Sequence, residues 1–527
     1  MNSPAYDAIN RAWKSTTKVI FGEEIGELDE YKEWLSGLID KNIVRKSTVS
    51  GKDVTFSIKE YAPDSKWISF DEIDNNKKFE PLNINEIKDI DSLAQAVSDR
   101  AYYCGNTVLG NSRNVERSAN ITDCHFVTNA AQFMNSKYIA YCTVGRDSSY
   151  CFGVHGPGDS EFCIRCTQTF AVKRSFEVWS AQNCSDCYYI SNLNGCSNCI
   201  FSFHLKNKRY CIGNLELDKD KYFSIKRSLL EQMVGELKKN KSLPSLLDIT
   251  KKGKLQKPNL RQKADEKKFE DKNAIETAFT DTSAVVLGRR LRNIDDYNNW
   301  LYAHAHKIEE RKSAISGKRL LMLPYVIALE ALPKDVVTMD EAWQIGESVR
   351  FSREEAENIS LANIHQSIGK LAYFTVDIRE GKVENVIEST VIVNGSNCYK
   401  ASAIVSSKYC GCGMWPKDST NCFGLDTLFD SEFCINCYHS MKLTRCFEMD
   451  NCRDCSDSMF CHNCESLNNC MFCFNTKAKR YAIGNVEVGK EKYLEIKKKV
   501  MDEMANRLEK DKKIKISIYD LLATSSH

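Results

Sequence analysis

Every third residue from Ser112 onward reads Ser112, Val115, Ser118, Ile121, Cys124, Val127, Ala130, Phe133. The series continues to Leu205 through 32 positions without one charged side chain. A second series, Val386 to Thr476, does the same over 31 positions. With 27% of the chain charged, about 17 of those 63 positions should carry Asp, Glu, Lys or Arg. A period of three excludes an amphipathic helix, which repeats at about 3.6, and a plain strand, which alternates at about 2. It fits short straight segments joined by tight corners, with every third side chain turned inward.

The same positions repeat at twelve. Cys398, Cys410, Cys422, Cys434, Cys446, Ser458 and Cys470 form one ladder, and Val127, Ile139, Cys151, Cys163, Ser175, Cys187 and Cys199 form its counterpart. Ser136, Ser148 and Ser160 form another, matched by Ser407, Ser419 and Ser431. The predicted fold class is therefore α+β with two narrow parallel β-solenoids of about 12 residues per coil, stacked about 4.8 Å apart. A core that narrow admits Ser, Ala, Gly, Val and Cys.

The chain is also a tandem duplication. Residues 21–52 align without gaps on 287–318, so Trp34 falls on Trp300 and the stretch Arg45 to Lys52 on Arg311 to Lys318. Further on, "CFGVHGPGDSEFCIRC" (151–166) matches "CFGLDTLFDSEFCINC" (422–437), and "KRYCIGNLELDKDKY" (208–222) matches "KRYAIGNVEVGKEKY" (479–493). The predicted organisation is an N-terminal cap (1–105), a first solenoid (106–213), a helix (214–250), a Lys-rich linker (251–276), a second cap (277–385), a second solenoid (386–485), and a C-terminal helix and tail (486–527). Each cap is expected to open with an amphipathic helix marked in the first copy by Leu28, Tyr31, Trp34, Leu35 and Leu38. A β-hairpin turning at Ser50-Gly51 follows. A phosphate cradle is the sharper reading of S-x-x-S-G-K, but the P-loop spacing and its following helix are missing. Each copy closes with a Lys-rich amphipathic helix.

Composition adds one anomaly: 24 cysteines in 527 residues, beside 9 histidines and 9 prolines. The net charge of +2 requires neither nucleic acid nor membrane as a partner. No apolar run is long enough to span a bilayer, and the N-terminus lacks a signal-peptide core, so a thiol-preserving cytoplasmic or virion-associated location is expected. In the two periodic windows, all cysteines but Cys412 are in phase. Buried thiols filling a thin core are the leading reading. Structural zinc is the second: Cys434, Cys437, Cys452 and Cys455 have a ribbon-like spacing, and Cys163, Cys166, Cys184 and Cys187 come close to it. Half-coil disulfides, Cys446/Cys452, Cys455/Cys461 and Cys464/Cys470, are the third.

"STVSGKDV", "SAISGKRL", the Cys-rich repeats and "LKNKRYCIGNLELDKDKY" together resemble a cysteine-rich β-solenoid family of uncultured candidate-phylum bacteria and some viruses. The resemblance covers about half of each copy. Ser47 and Ser313 stand where that family carries its first cysteine, and its Arg-rich C-P-x-C segment is missing. The resemblance implies that an early zinc site is lost here, and it implies no activity.

No nucleophile elbow, dinucleotide loop, Walker or H-E-x-x-H motif occurs. His304 and His306 fall in an expected helix, where side chains two apart diverge. Asp159-Ser160-Glu161 and Asp430-Ser431-Glu432 read as solvated corners. No catalytic or cofactor-binding residue is assigned and no cofactor is required, zinc being the one candidate. The expected function is a non-enzymatic structural or assembly scaffold that presents solenoid surfaces to protein partners, within a larger complex or virion. The alternative is a zinc-dependent nucleic-acid-binding protein that uses the Lys-rich linker and helices on phosphate.

Overall fold

The period of three has a backbone cause. In the computed structural model, Asn114, Arg117, Asn120, Asp123, Phe126 and Asn129 all have φ between 48° and 59°, and a left-handed residue recurs every third position along both repetitive regions. Each left-handed residue turns the chain, and the residue after it points inward. A left-handed non-glycine residue costs about 1 kcal/mol or more, so the corners persist only because neighbouring turns of chain hold them.

Residues 3–83, 87, 89–261, 270–333 and 335–521 are described. They form a mixed helix-and-strand protein with large parallel sheets, one of 16 strands and one of 12. Parallel partners lie twelve residues apart: Lys137 pairs with Ser149, Cys151 with Cys163, Cys410 with Cys422 and Cys422 with Cys434. The two parallel stacks run from Val108 to Ile212 and from Arg379 to Ile483. The second thus starts a few residues before the expected 386, because Arg379 and Glu380 already pair with Ile392 and Val393.

Both stacks end in the same device. The last parallel strand, Arg209–Ile212, turns at Gly213-Asn214 and folds back antiparallel onto Leu215–Glu216. The Asn214 amide then stands in for the missing next turn of chain. Its Oδ1 accepts from Phe203 N (2.8 Å) and its Nδ2 donates to Phe203 O (3.0 Å). Asn485 makes the same two bonds to Phe474. An exposed parallel edge invites pairing with another chain, and these asparagines satisfy it. A Cβ on Gly213 would lie 2.0 Å from the ring of Phe351, so no larger residue fits.

The opening helix of each cap packs on its own stack, and the later part of each cap crosses to the other half. The first hydrophobic core joins Trp13, Leu35, Phe152, Phe176, Leu229 and Leu247 to Val326, Ile345, Phe351 and Phe374 of the second half. The second joins Phe279, Trp300, Phe423, Phe447 and Ile496 to Phe56, Trp67, Leu93 and Tyr103 of the first. Polar contacts repeat the crossing: Phe351 N donates to Gly213 O (2.8 Å), and Tyr103 Oη donates to Ile518 O (2.6 Å). His204 bonds Tyr373 O (3.0 Å), and Asn475, its equivalent 271 residues on, bonds Tyr102 O (2.8 Å).

The hairpins form as expected, Ile43–Lys46 against Asp53–Phe56 and Glu309–Lys312 against Arg319–Met322. Gly51 and Gly317 take φ of +77° and +75°, and each N–H donates to the serine four residues earlier, Ser47 or Ser313. Two expectations are corrected. The segment Leu28–Leu38 is a chain of short 3-10 and α turns, and the long opening helices are Pro4–Phe21 and Lys272–Leu287. Ser3 caps the first and Asp271 the second, both N-cap residues preferred for that role. The expected linker 251–276 is helical at both ends, within Leu246–Lys252 and from Lys272 onward. Its centre, 262–269, and the tail 522–527 lie outside the described residues.

Candidate functional site

All 24 cysteines are buried, unpaired thiols. Their chemistry inside the stacks matches that of serine on the same ladders. Ser148 Oγ donates to the carbonyl two residues back, Arg146 O (2.8 Å), and accepts from the amide twelve residues on, Ser160 N (3.2 Å). Cys142 Sγ does the same with Ala140 O (3.2 Å) and Val154 N (3.3 Å). A thiol here is a compact apolar filler that also satisfies a corner's backbone groups. Cys412 is out of phase because it occupies a left-handed corner with φ of 54°, and its thiol faces outward to Asn298.

Cys434, Cys437, Cys452 and Cys455 occupy two consecutive turns of the second stack and point inward, each donating to a backbone carbonyl. Cys163, Cys166, Cys184 and Cys187 also point inward and donate to backbone carbonyls in the first, but they span three turns, Cys187 lying two turns beyond Cys163. Among the described residues, no group of three or more His, Cys, Asp or Glu is arranged to hold a metal ion.

The fold gathers histidines that the sequence scatters. His155, His304, His306 and His439 line one cleft where the halves meet, together with Asp426, Glu60 and Tyr325. His304 and His306 lie beyond the helix Asn298–Leu301, not within one. Their Nε2 atoms face different carboxylates, Asp520 and Asp426, each at 3.7 Å. His155 lies between Thr143 Oγ1 (2.9 Å) and Tyr325 Oη (3.3 Å), and burial pushes its pKa down to about 4. Burial likewise raises the carboxyl of Asp426, which occupies the position in the second copy equivalent to His155.

Behind the cleft lies a polar cluster that the sequence reading missed. Asp450 is fully buried and accepts from Tyr61 Oη (2.7 Å) and from His462 Nδ1 (2.8 Å), with His439 Nδ1 at 3.3 Å. Burial alone would raise its pKa, yet the hydrogen bonds from His439 and His462 hold it well below the usual carboxylate range. Burial opposes protonation of His439, but the bond and charge of Asp450 outweigh it and raise that pKa to about 9. Cys104, His462 and Asp450 thus meet in the order of a thiol triad. The geometry spends every atom otherwise. His462 Nε2 accepts from the backbone N–H of Cys104 (2.9 Å), and the Cys104 thiol donates to Gly105 O (3.5 Å). Burial pushes that thiol up to about 12, away from a reactive thiolate. Tyr61 and Cys104 are remote in sequence from His439, Asp450 and His462. The available signal was that ionisable residues, Asp450 and His462, stand where the first copy has Trp179 and Ser191.

Comparison with protein-family models, with curated proteins and with solved structures returns no match. No helix among the described residues is long and apolar enough to cross a membrane.

Proposed function

We propose that each parallel stack is a narrow β-solenoid with about 12 residues per coil. On this reading the chain is a non-enzymatic structural scaffold, cytoplasmic or virion-associated, that offers the outer faces of two capped solenoids to protein partners. The observation that carries the proposal is the crossing of the later cap segments between the halves. Each core takes residues from both halves, which ties two thin rods into one body whose surfaces keep a fixed relation. The asparagine edge caps also support it, since they block open-ended strand addition and leave lateral faces for docking. The spent donors and acceptors of Cys104, His462 and Asp450 favour a structural role over turnover.

The test is capture of the tagged full chain from its native source, followed by cross-linking and mass spectrometry. A stoichiometric protein partner cross-linked to the solenoid strands is the expected result. A DNA or RNA shift that weakens steeply with salt and disappears on chelation would replace this reading with zinc-dependent nucleic-acid binding.

A further inference from the structure

A pocket lies between the two stacks and the cap of the second half, lined by Trp179, Met322, Leu329, Leu332, Phe374 and Thr375 among others. No charged side chain is among its described lining residues. Two of its walls carry polar groups left without a partner. Trp179 is 2% exposed and Thr375 8% exposed, yet neither the indole N–H nor the hydroxyl makes a hydrogen bond. An orphaned buried donor is destabilising, and native structures seldom leave two beside one space.

The other half shows what this location holds when it is filled. Trp179 corresponds to Asp450, Ser191 to His462 and Thr375 to Cys104, and there the cluster satisfies itself. The first half has no charged group at these positions and has a pocket beside them.

We propose that this cavity binds a small, neutral, mainly apolar molecule with one hydrogen-bond acceptor, such as a carbonyl oxygen. The acceptor faces the Trp179 N–H and the Thr375 hydroxyl, and the apolar body lies against Met322, Leu329, Leu332 and Phe374. A charged ligand is disfavoured because nothing in the lining would offset its desolvation.

Acetophenone and ethylbenzene are suitable probes, similar in size and differing in the carbonyl. With the full chain labelled at its seven tryptophan indoles, acetophenone should move one N–H resonance saturably. Trp179→Phe should delete that same resonance. Thr375→Val should weaken acetophenone about five- to tenfold and leave ethylbenzene unchanged, and ethylbenzene should bind wild type about fivefold or more weakly. If Thr375→Val does not fold, the same weakening is read on Trp179→Phe by ligand-observed NMR. The proposal is overturned if no indole resonance saturates. It is equally overturned if both probes bind alike and neither variant discriminates, which would mark a void without polar recognition.

Discussion

The two halves place the same buried glutamate in opposite electrical company. In the first stack Glu177 bonds the guanidinium of Arg165 at 2.5 Å and the N–H of Leu246 at 3.0 Å. In the second, Glu448 bonds the neutral Asn436 amide at 3.0 Å and the N–H of Ile518 at 2.8 Å. Both carboxyls are essentially inaccessible, at 0% and 1% exposure. Without a cation beside it, burial pushes Glu448 up to about 8, so one half holds an ion pair where the other holds a neutral acid at pH 7. A few residues away the order reverses, with charged Asp450 and His439 in the second half facing neutral Trp179 and Gln168 in the first. Duplication preserved the backbone, and the interior charges diverged because each needed only its own local partner.

The largest effect expected is from charge placed inside either parallel stack. Cys455→Asp and Cys184→Asp should each cost about 4 kcal/mol or more, or prevent folding, because a carboxylate there has neither partner nor water. Urea melts check this, and equal, small losses would mean the interiors are wetter than the packing indicates. Next is the glutamate pair. Glu177→Gln should cost about 3–5 kcal/mol by leaving Arg165 buried and uncompensated, whereas Glu448→Gln should cost about 1 kcal/mol or less at pH 7. Similar losses in the two variants would erase the contrast.

The pH dependence sharpens it. In the fold Glu448 keeps its proton up to about 8, while an ordinary glutamate releases it near 4.5. Its contribution is complete at low pH and declines as pH rises between those values. His439, raised from 6.5 to about 9, contributes fully below 6.5 and loses that contribution as pH rises through 9. His204 has the opposite sign. Burial lowers it to about 4, so the unfolded chain gains a proton first and stability falls as pH drops from 6.5 toward 4. Asn does the work of His204 at the equivalent Asn475, so His204→Asn should remove this acid loss with little cost at pH 8. Melts of His204→Asn and Glu448→Gln across pH 4 to 9 should make the acid and alkaline limbs shallower respectively, with His155 and His439 keeping the remainder.

A similarly small effect is expected for Cys455→Ser, about 1 kcal/mol, because serine already occupies equivalent ladder positions. A serine variant as damaged as Cys455→Asp, with loss of bound zinc, would make Cys455 a metal ligand.

The repetitive regions were legible in the sequence because their determinants are local and periodic. A core with room only for small uncharged side chains excludes charge from every third position, and that exclusion is visible without coordinates. The hairpins and closing helices were legible for the same reason, through Gly51 and Gly317 and through the apolar stripe of Tyr222, Ile225, Leu229 and Met233. The opening helices were misplaced because Leu28, Tyr31 and Trp34 are spaced like a helix face, yet successive 3-10 and α turns bury them as well. Which later cap segment covers which stack was not legible. Either segment could present similar apolar residues to either stack, and contacts such as Tyr103 with Ile518 span more than four hundred residues. The convergence of His155, His304, His306 and His439 on one cleft, and of Tyr61 and Cys104 on Asp450 and His462, depends on that crossing. Periodicity along the chain therefore fixes the parallel stacks, and the packing of remote segments alone decides where the polar and reactive groups meet.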